Sequence, residues 1–151
     1  MTDEEYAPQP GSRTAARRRA LDLLYAADLL GQPIAKVLAD TLNQPEETRP
    51  SPYAVELASG VERLRGELDA RIEAAAERWT LERMPLIDRN LLRLATYELL
   101  AEPNLPTAVI IDEAVELAKL LSTADSGRFV NGVLGRIARE TRPTPAPDAP
   151  R

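Results

Sequence analysis

Four arginines and one tyrosine are the residues of this sequence whose types and spacing suggest binding chemistry. They are Arg13, Arg17, Arg18, Arg19 and Tyr25, all within the run RTAARRRALDLLY. A guanidinium presents a planar fork of donors that matches phosphate oxygens, and a ring beside it offers a stacking face to an unpaired base. Arg18 and Tyr25 are two helical turns apart, so on a helix they share one line with Leu21 and Asp22 between them, flanked by Arg13, Arg17 and Arg19. That arrangement suits single-stranded nucleic acid. The same residues also fit a plainer reading, because arginine is a good helix former and a run of it commonly makes a solvated face, with Tyr25 as rim packing.

Other chemistry is mostly excluded. The chain has no cysteine and no histidine, which removes thiolate nucleophiles, disulfides, histidine-based triads and the usual zinc sites. Carboxylate-only metal sites stay open. Glu113 and Glu116 sit at helical spacing, yet no second set of groups accompanies them, so they read as a solvated face. No G-x-G-x-x-G is present, and the expectation is a protein that is not an enzyme and needs no cofactor. Asp125 stands in the S-x-x-D pattern of a capping box (Ser122 to Asp125), where it either caps a helix or faces a partner.

The net charge of −5 argues against binding nucleic acid through bulk charge, so any such contact is local. No apolar run is long enough for a membrane span and no signal-peptide pattern opens the chain, which makes a soluble cytoplasmic protein the expectation.

The elements that must position these residues read as helices throughout. Ala16, Ala20, Leu23, Leu24 and Ala27 make the buried stripe of the first, which Gly31 should end in the left-handed conformation. A short helix follows over about Ile34 to Leu42, then a proline-rich connection from Asn43 to Pro52. A long apolar stripe runs from Ala54 to Trp79, with a bend expected near Gly60 or Gly66 and Trp79 taken as a core anchor. Thr80 reads as an N-cap. Three further stripes begin at Ile87, Ile110 and Phe129. The fold class is therefore all-α, with six or seven helices in two small bundles split near the proline connection. Residues 1–12 are expected to be an acidic tail, 13–140 a single helical domain, and 141–151 a disordered proline-rich tail.

Three stretches, IDRNLLRLATYEL (Ile87 to Leu99), LPTAVIIDEAVELAK (Leu105 to Lys119) and DSGRFVNGVLGRI (Asp125 to Ile137), resemble the NusB family of transcription antitermination factors. The first helix, with Arg13, Arg17 and the pair Leu24 and Tyr25, is similar to that family's arginine-rich opening. The resemblance implies two packed three-helix bundles that bind the boxA element of ribosomal RNA transcripts together with the ribosomal protein NusE, within the antitermination complex of RNA polymerase. It further implies RNA contact by Arg13, Arg17, Arg18, Arg19 and Tyr25, with Asp125 at or near the RNA. Glu82 and the helix from Ile87 onward, Arg93 included, would then lie toward NusE. A homodimer covering the arginine face is also compatible with the family. Gly127 stands where many members carry a larger polar or basic residue, and Asp112 where asparagine is frequent.

Two functions from different classes follow. One is an RNA-binding adaptor. The alternative is a helical protein-interaction or homodimerisation module with no direct RNA contact.

Overall fold

The computed structural model describes residues 12–143, and the expectations for residues 1–11 and 144–151 lie outside the described residues. Seven α-helices occur among the described residues: α1 (Arg13–Leu30), α2 (Ile34–Thr41), α3 (Pro52–Arg63), α4 (Arg65–Ala76), α5 (Leu86–Ala101), α6 (Thr107–Leu121) and α7 (Ala124–Thr141). Short 3-10 turns at Glu46–Thr48 and Leu81–Arg83 lie in the connections before α3 and α5. No strand is found among the described residues.

Local chemistry sets the helix ends. Ser12 starts α1 by accepting a hydrogen bond from the Ala15 amide, and Gly31 ends it at φ 64°, a conformation that costs glycine little. Ser51 starts α3 in the same way, with Pro52 in the first turn. At α7 the capping box is one residue later than the sequence pattern suggests. Thr123 is the N-cap and Ser126 closes the box, which leaves Asp125 free of that task. Thr80 makes no side-chain cap.

α5 is the axis of the molecule, packing against α1, α3, α4, α6 and α7. Every residue from Asn90 to Leu99 is buried. Two cores share this helix. α1, α2 and α3 enclose the first around Leu23, Leu57 and Val61, closed by Leu68 of α4 and by Leu94 and Tyr97 of α5. The second lies among α5, α6 and α7 around Leu91, Leu117 and Leu134, with Ile72 and Ala75 of α4. The division between bundles therefore runs along α4 and α5. The proline connection joins α2 to α3 inside the first bundle, correcting the split expected there.

Two consequences of this layout bear on the site. Helix α1 is wedged between α3 and α5, so its buried arc is wider than one stripe and takes in Leu21 and Arg17 as well as the five expected residues. The long stripe after the proline connection breaks at Leu64, and α4 then ends at Ala76. Glu77 follows in the left-handed region at φ 57°, unusual for a residue with a Cβ. This sharp exit throws Trp79 outward. It is 51% exposed, which corrects the expectation of a core anchor.

Candidate nucleic-acid interface

The arginines of α1 divide by depth. Arg13 is exposed, with its guanidinium 4.6 Å from the centre of the Tyr53 ring and Nη1 donating to the Tyr53 hydroxyl at 3.4 Å. Arg18 is half-buried and makes no ion pair among the described residues, and Arg19 donates to Gln44 at 3.3 Å. Tyr25 is half-buried on the same helix. Arg17 is different. It is 4% exposed, and its Nε donates to Glu98 at 2.8 Å while Nη1 lies 3.5 Å from Glu113. Burial opposes its charge, but these carboxylates outweigh burial and raise its pKa further.

Arg17 is thus buried here as a structural cation and does not present the exposed fork that its expected RNA contact calls for. The physical reason is the wide buried arc of α1, which turns this position onto α5. Tyr53 donates to the second oxygen of Glu98 at 2.7 Å. Burial and that hydrogen bond push its phenol upward, so it remains a neutral donor.

The partner-facing expectations divide in the same way. Glu82 is exposed and Ile87 half-buried. Arg93 is buried, with its guanidinium shared between Asp69 at 2.8 Å and Asp28 at 3.1 Å. Its guanidinium is satisfied inside the fold and does not present the exposed group that its expected partner contact calls for. Asp28 also receives Arg65, Arg89 and Asn90, a network that ties the C-terminal end of α1 to α4 and α5.

Asp125 lies on a different part of the surface, with its side chain 87% exposed and paired to Arg128 at 2.6 Å. Here the structure adds residues that sequence reasoning missed. Trp79 borders two cavities. One, of about 270 Å³, is lined by Trp79, Arg78, Phe129, Arg128 and Arg136 among others. The other, of about 220 Å³, lies among Trp79, Met84, Pro85, Phe129, Asp88 and Asp125. Arg136 braces the turn that presents Trp79, pairing with Glu77 at 2.7 Å and donating to the Ala75 carbonyl at 2.9 Å. The result is two aromatic walls with arginines at the rim, a form suited to stacking bases while neutralising phosphates. A signal was present in the sequence: Trp79 follows a helix whose end carries no capping residue, with three arginines close by in Arg71, Arg78 and Arg83.

The predicted contacts do not form one cluster. Arg17 meets α5 at Glu98, whereas Ser126 of α7 meets it at Asp88. Ten residues of helix correspond to about 15 Å. The arginine end of α1 and the Trp79 face are therefore separate patches toward opposite ends of α5, and only an extended ligand could touch both.

Among the described residues no group of three or more acidic side chains is placed to hold a metal ion. No described helix is long and apolar enough to cross a membrane.

Comparison with known proteins gives a consistent result. The model of the NusB family matches residues 14–139. A transcription antitermination protein NusB from Salinispora tropica is 52% identical over 129 residues, covering 84% of this chain and 95% of its own. Among solved structures, T. maritima NusB superposes with a TM-score of 0.77 at 35% identity, covering 87% of this chain and 94% of that one. A structure of antitermination factors NusB and NusE in complex with double-stranded RNA contains a chain with a TM-score of 0.74 at 27% identity, covering 85% and 96%.

Proposed function

The chain belongs to the NusB family, and we propose that it is a non-catalytic adaptor of transcription antitermination that binds boxA-type RNA of ribosomal transcripts together with NusE. It would work in the cytoplasm, within the antitermination complex of RNA polymerase. The observation that carries this reading is the Trp79 and Phe129 face with Arg78, Arg128 and Arg136, which supplements Arg13, Arg18 and Arg19 at the other end of α5. Neither patch needs a basic protein overall, which agrees with a net charge of −5. The lack of cysteine and histidine supports a role without catalysis.

The test is binding of a boxA-type strand against a scrambled strand and against a duplex, each with and without NusE. The expected outcome is preference for the boxA-type strand. Affinity should fall with salt at a logarithmic slope of about −0.7 per phosphate neutralised. Equal binding of all three RNAs with NusE present would end this reading.

A second reading is favoured by a separate observation. Leu29, Leu30 and Leu42 are exposed at 58%, 63% and 65%, so the α1 and α2 ends offer apolar surface to a protein. A protein-only module predicts that charge reversal at Arg18 and Arg19 leaves antitermination unchanged. The RNA adaptor predicts that RNA binding is lost while NusE binding survives.

A further inference from the structure

Tyr53 stands in the first turn of α3, half-buried, with its ring packed against the first core. The guanidinium carbon of Arg13 lies over that ring, 4.6 Å from its centre, and Nη1 donates to the hydroxyl at 3.4 Å. The hydroxyl is itself tied down. It donates to Glu98 Oε2 at 2.7 Å, and the other oxygen of Glu98 is fixed by Arg17 Nε at 2.8 Å. A phenol that gives its one hydrogen to a carboxylate keeps only lone pairs for a second partner, so its oxygen faces Arg13 as an acceptor. Glu98 on α5, Tyr53 on α3 and Arg13 on α1 thus form one connected series from the buried centre of the fold to an exposed cation. Among the described residues Arg18 lies over no ring.

We propose that Tyr53 is a positioning residue for RNA binding, its ring holding the Arg13 guanidinium in one orientation before a phosphate of the RNA arrives. Ordering a long side chain at an interface costs binding energy, and a fork already laid on a ring has given up that freedom in the free protein. Stacking occupies the face of the guanidinium, whereas its five N–H donors lie in its plane. Among the described residues only Nη1 is engaged, through a long hydrogen bond, so the rest of the fork is left for a phosphate. The ring itself does not touch the RNA. It acts through Arg13, and Glu98 acts through the ring. The inference rests on the RNA-binding reading and adds to it the residue that orders one of the binding cations.

The experiment compares Y53F with Y53L. Both delete the hydroxyl, so both leave Glu98 Oε2 without its donor, and both keep apolar bulk on the first core. Only phenylalanine keeps a flat face for Arg13. Binding of a boxA-type strand with NusE present, counted on folded protein, should be roughly fivefold weaker for Y53L than for Y53F, the ordering cost of one long side chain. In an R13A background the two should bind alike, with the salt slope already reduced by about 0.7 through the lost phosphate contact. Equal binding of Y53F and Y53L with Arg13 in place means that the ring orders nothing and overturns the proposal. A gap that persists in the R13A background also overturns it, whether the ring touches RNA directly or its loss harms the fold. A wild-type chain that binds the boxA-type strand no better than a scrambled one overturns the adaptor reading instead. One further measurement needs no variant. NMR relaxation of the Nε–Hε groups in the free wild-type chain should find Arg13 more ordered than Arg18 on the fast timescale, and equal mobility of the two overturns the proposal even if both Tyr53 variants fail to fold.

Discussion

Arg17 and Glu98 face each other at 2.8 Å with side chains 4% and 1% exposed, an ion pair that fastens the arginine helix to the central helix. Glu113 lies 3.5 Å from the same guanidinium and accepts from Thr14 at 2.7 Å, so α6 joins the pair. Truncating one partner would leave the other charge buried and uncompensated. Arg17→Ala should therefore cost about 3–5 kcal/mol in urea unfolding. Arg18→Ala, on the outer line of the same helix, should stay within about 0.5 kcal/mol. RNA titration of the two variants should give the reverse order once only folded protein is counted: Arg18→Ala weakens binding and Arg17→Ala does not.

That contrast shows where sequence reading stopped. The apolar stripes of α1, α5, α6 and α7 were legible because helical period is a property of one segment. Which neighbours of a stripe are also buried depends on how many helices pack around it, and α1 has α3 on one side and α5 on the other. Arg17 and Leu21 fell inside that wider arc, while Arg18 did not. Trp79 misled in the opposite direction. Its type and spacing continue the α4 stripe, but the helix ends at Ala76 and Glu77 turns left-handed, which no period encodes. The S-x-x-D pattern left Asp125 either a cap or a partner-facing residue, and the box Thr123 to Ser126 one step later takes the capping role from it. The candidate site was half legible for the same reason, its arginines on one helix and its aromatic walls assembled from α7 and the turn before α5.

Gly60 and Tyr97 give a prediction with a sign test. A Cβ on Gly60 would fall far inside contact with Cε1 and Cζ of the Tyr97 ring, in a site where both residues are buried. Helix propensity alone favours alanine, yet overpacking should win and G60A should lose about 1–3 kcal/mol. Gly66 has open space around it, and G66A should gain about 0.5–1 kcal/mol. Thermal melting of both variants checks the pair. Opposite signs are required.

Asp28 predicts an acid limb. Burial pushes its carboxyl up, but the amide of Asn90 and the cations Arg93, Arg65 and Arg89 outweigh burial and hold it below the usual carboxylate range. A group depressed in the folded state contributes fully above its unfolded value of about 3.9, and that contribution is lost as pH falls through the folded value. Stability in urea should therefore drop below about pH 4. D28N should start lower at neutral pH and show a flatter acid limb. An unchanged limb would mean that this network is not what acid breaks.

Arg142 predicts where the fold must end. Beyond α7 its guanidinium turns back across the connection between α5 and α6. It donates to the carbonyls of Leu99 at 2.9 Å, Glu102 at 2.6 Å and Glu98 at 3.3 Å, and also to that of Leu105. Those carbonyls belong to the C-terminal end of α5 and the first turn outside it, where Glu98 and Glu102 also accept the backbone amides of Glu102 and Leu105, so one cation caps the central helix. The sequence places Thr141 and Arg142 in a tail, but α7 runs on to Thr141 and Arg142 is half-buried. Ending the chain after Glu140 should cost about 1.5–3 kcal/mol, whereas ending it after Pro143 should be neutral. R142K should recover only part of the loss, because an ammonium cannot reach in two directions as the fork does. Urea unfolding of the three chains decides it, and equal stability of both truncations would remove Arg142 from the cap.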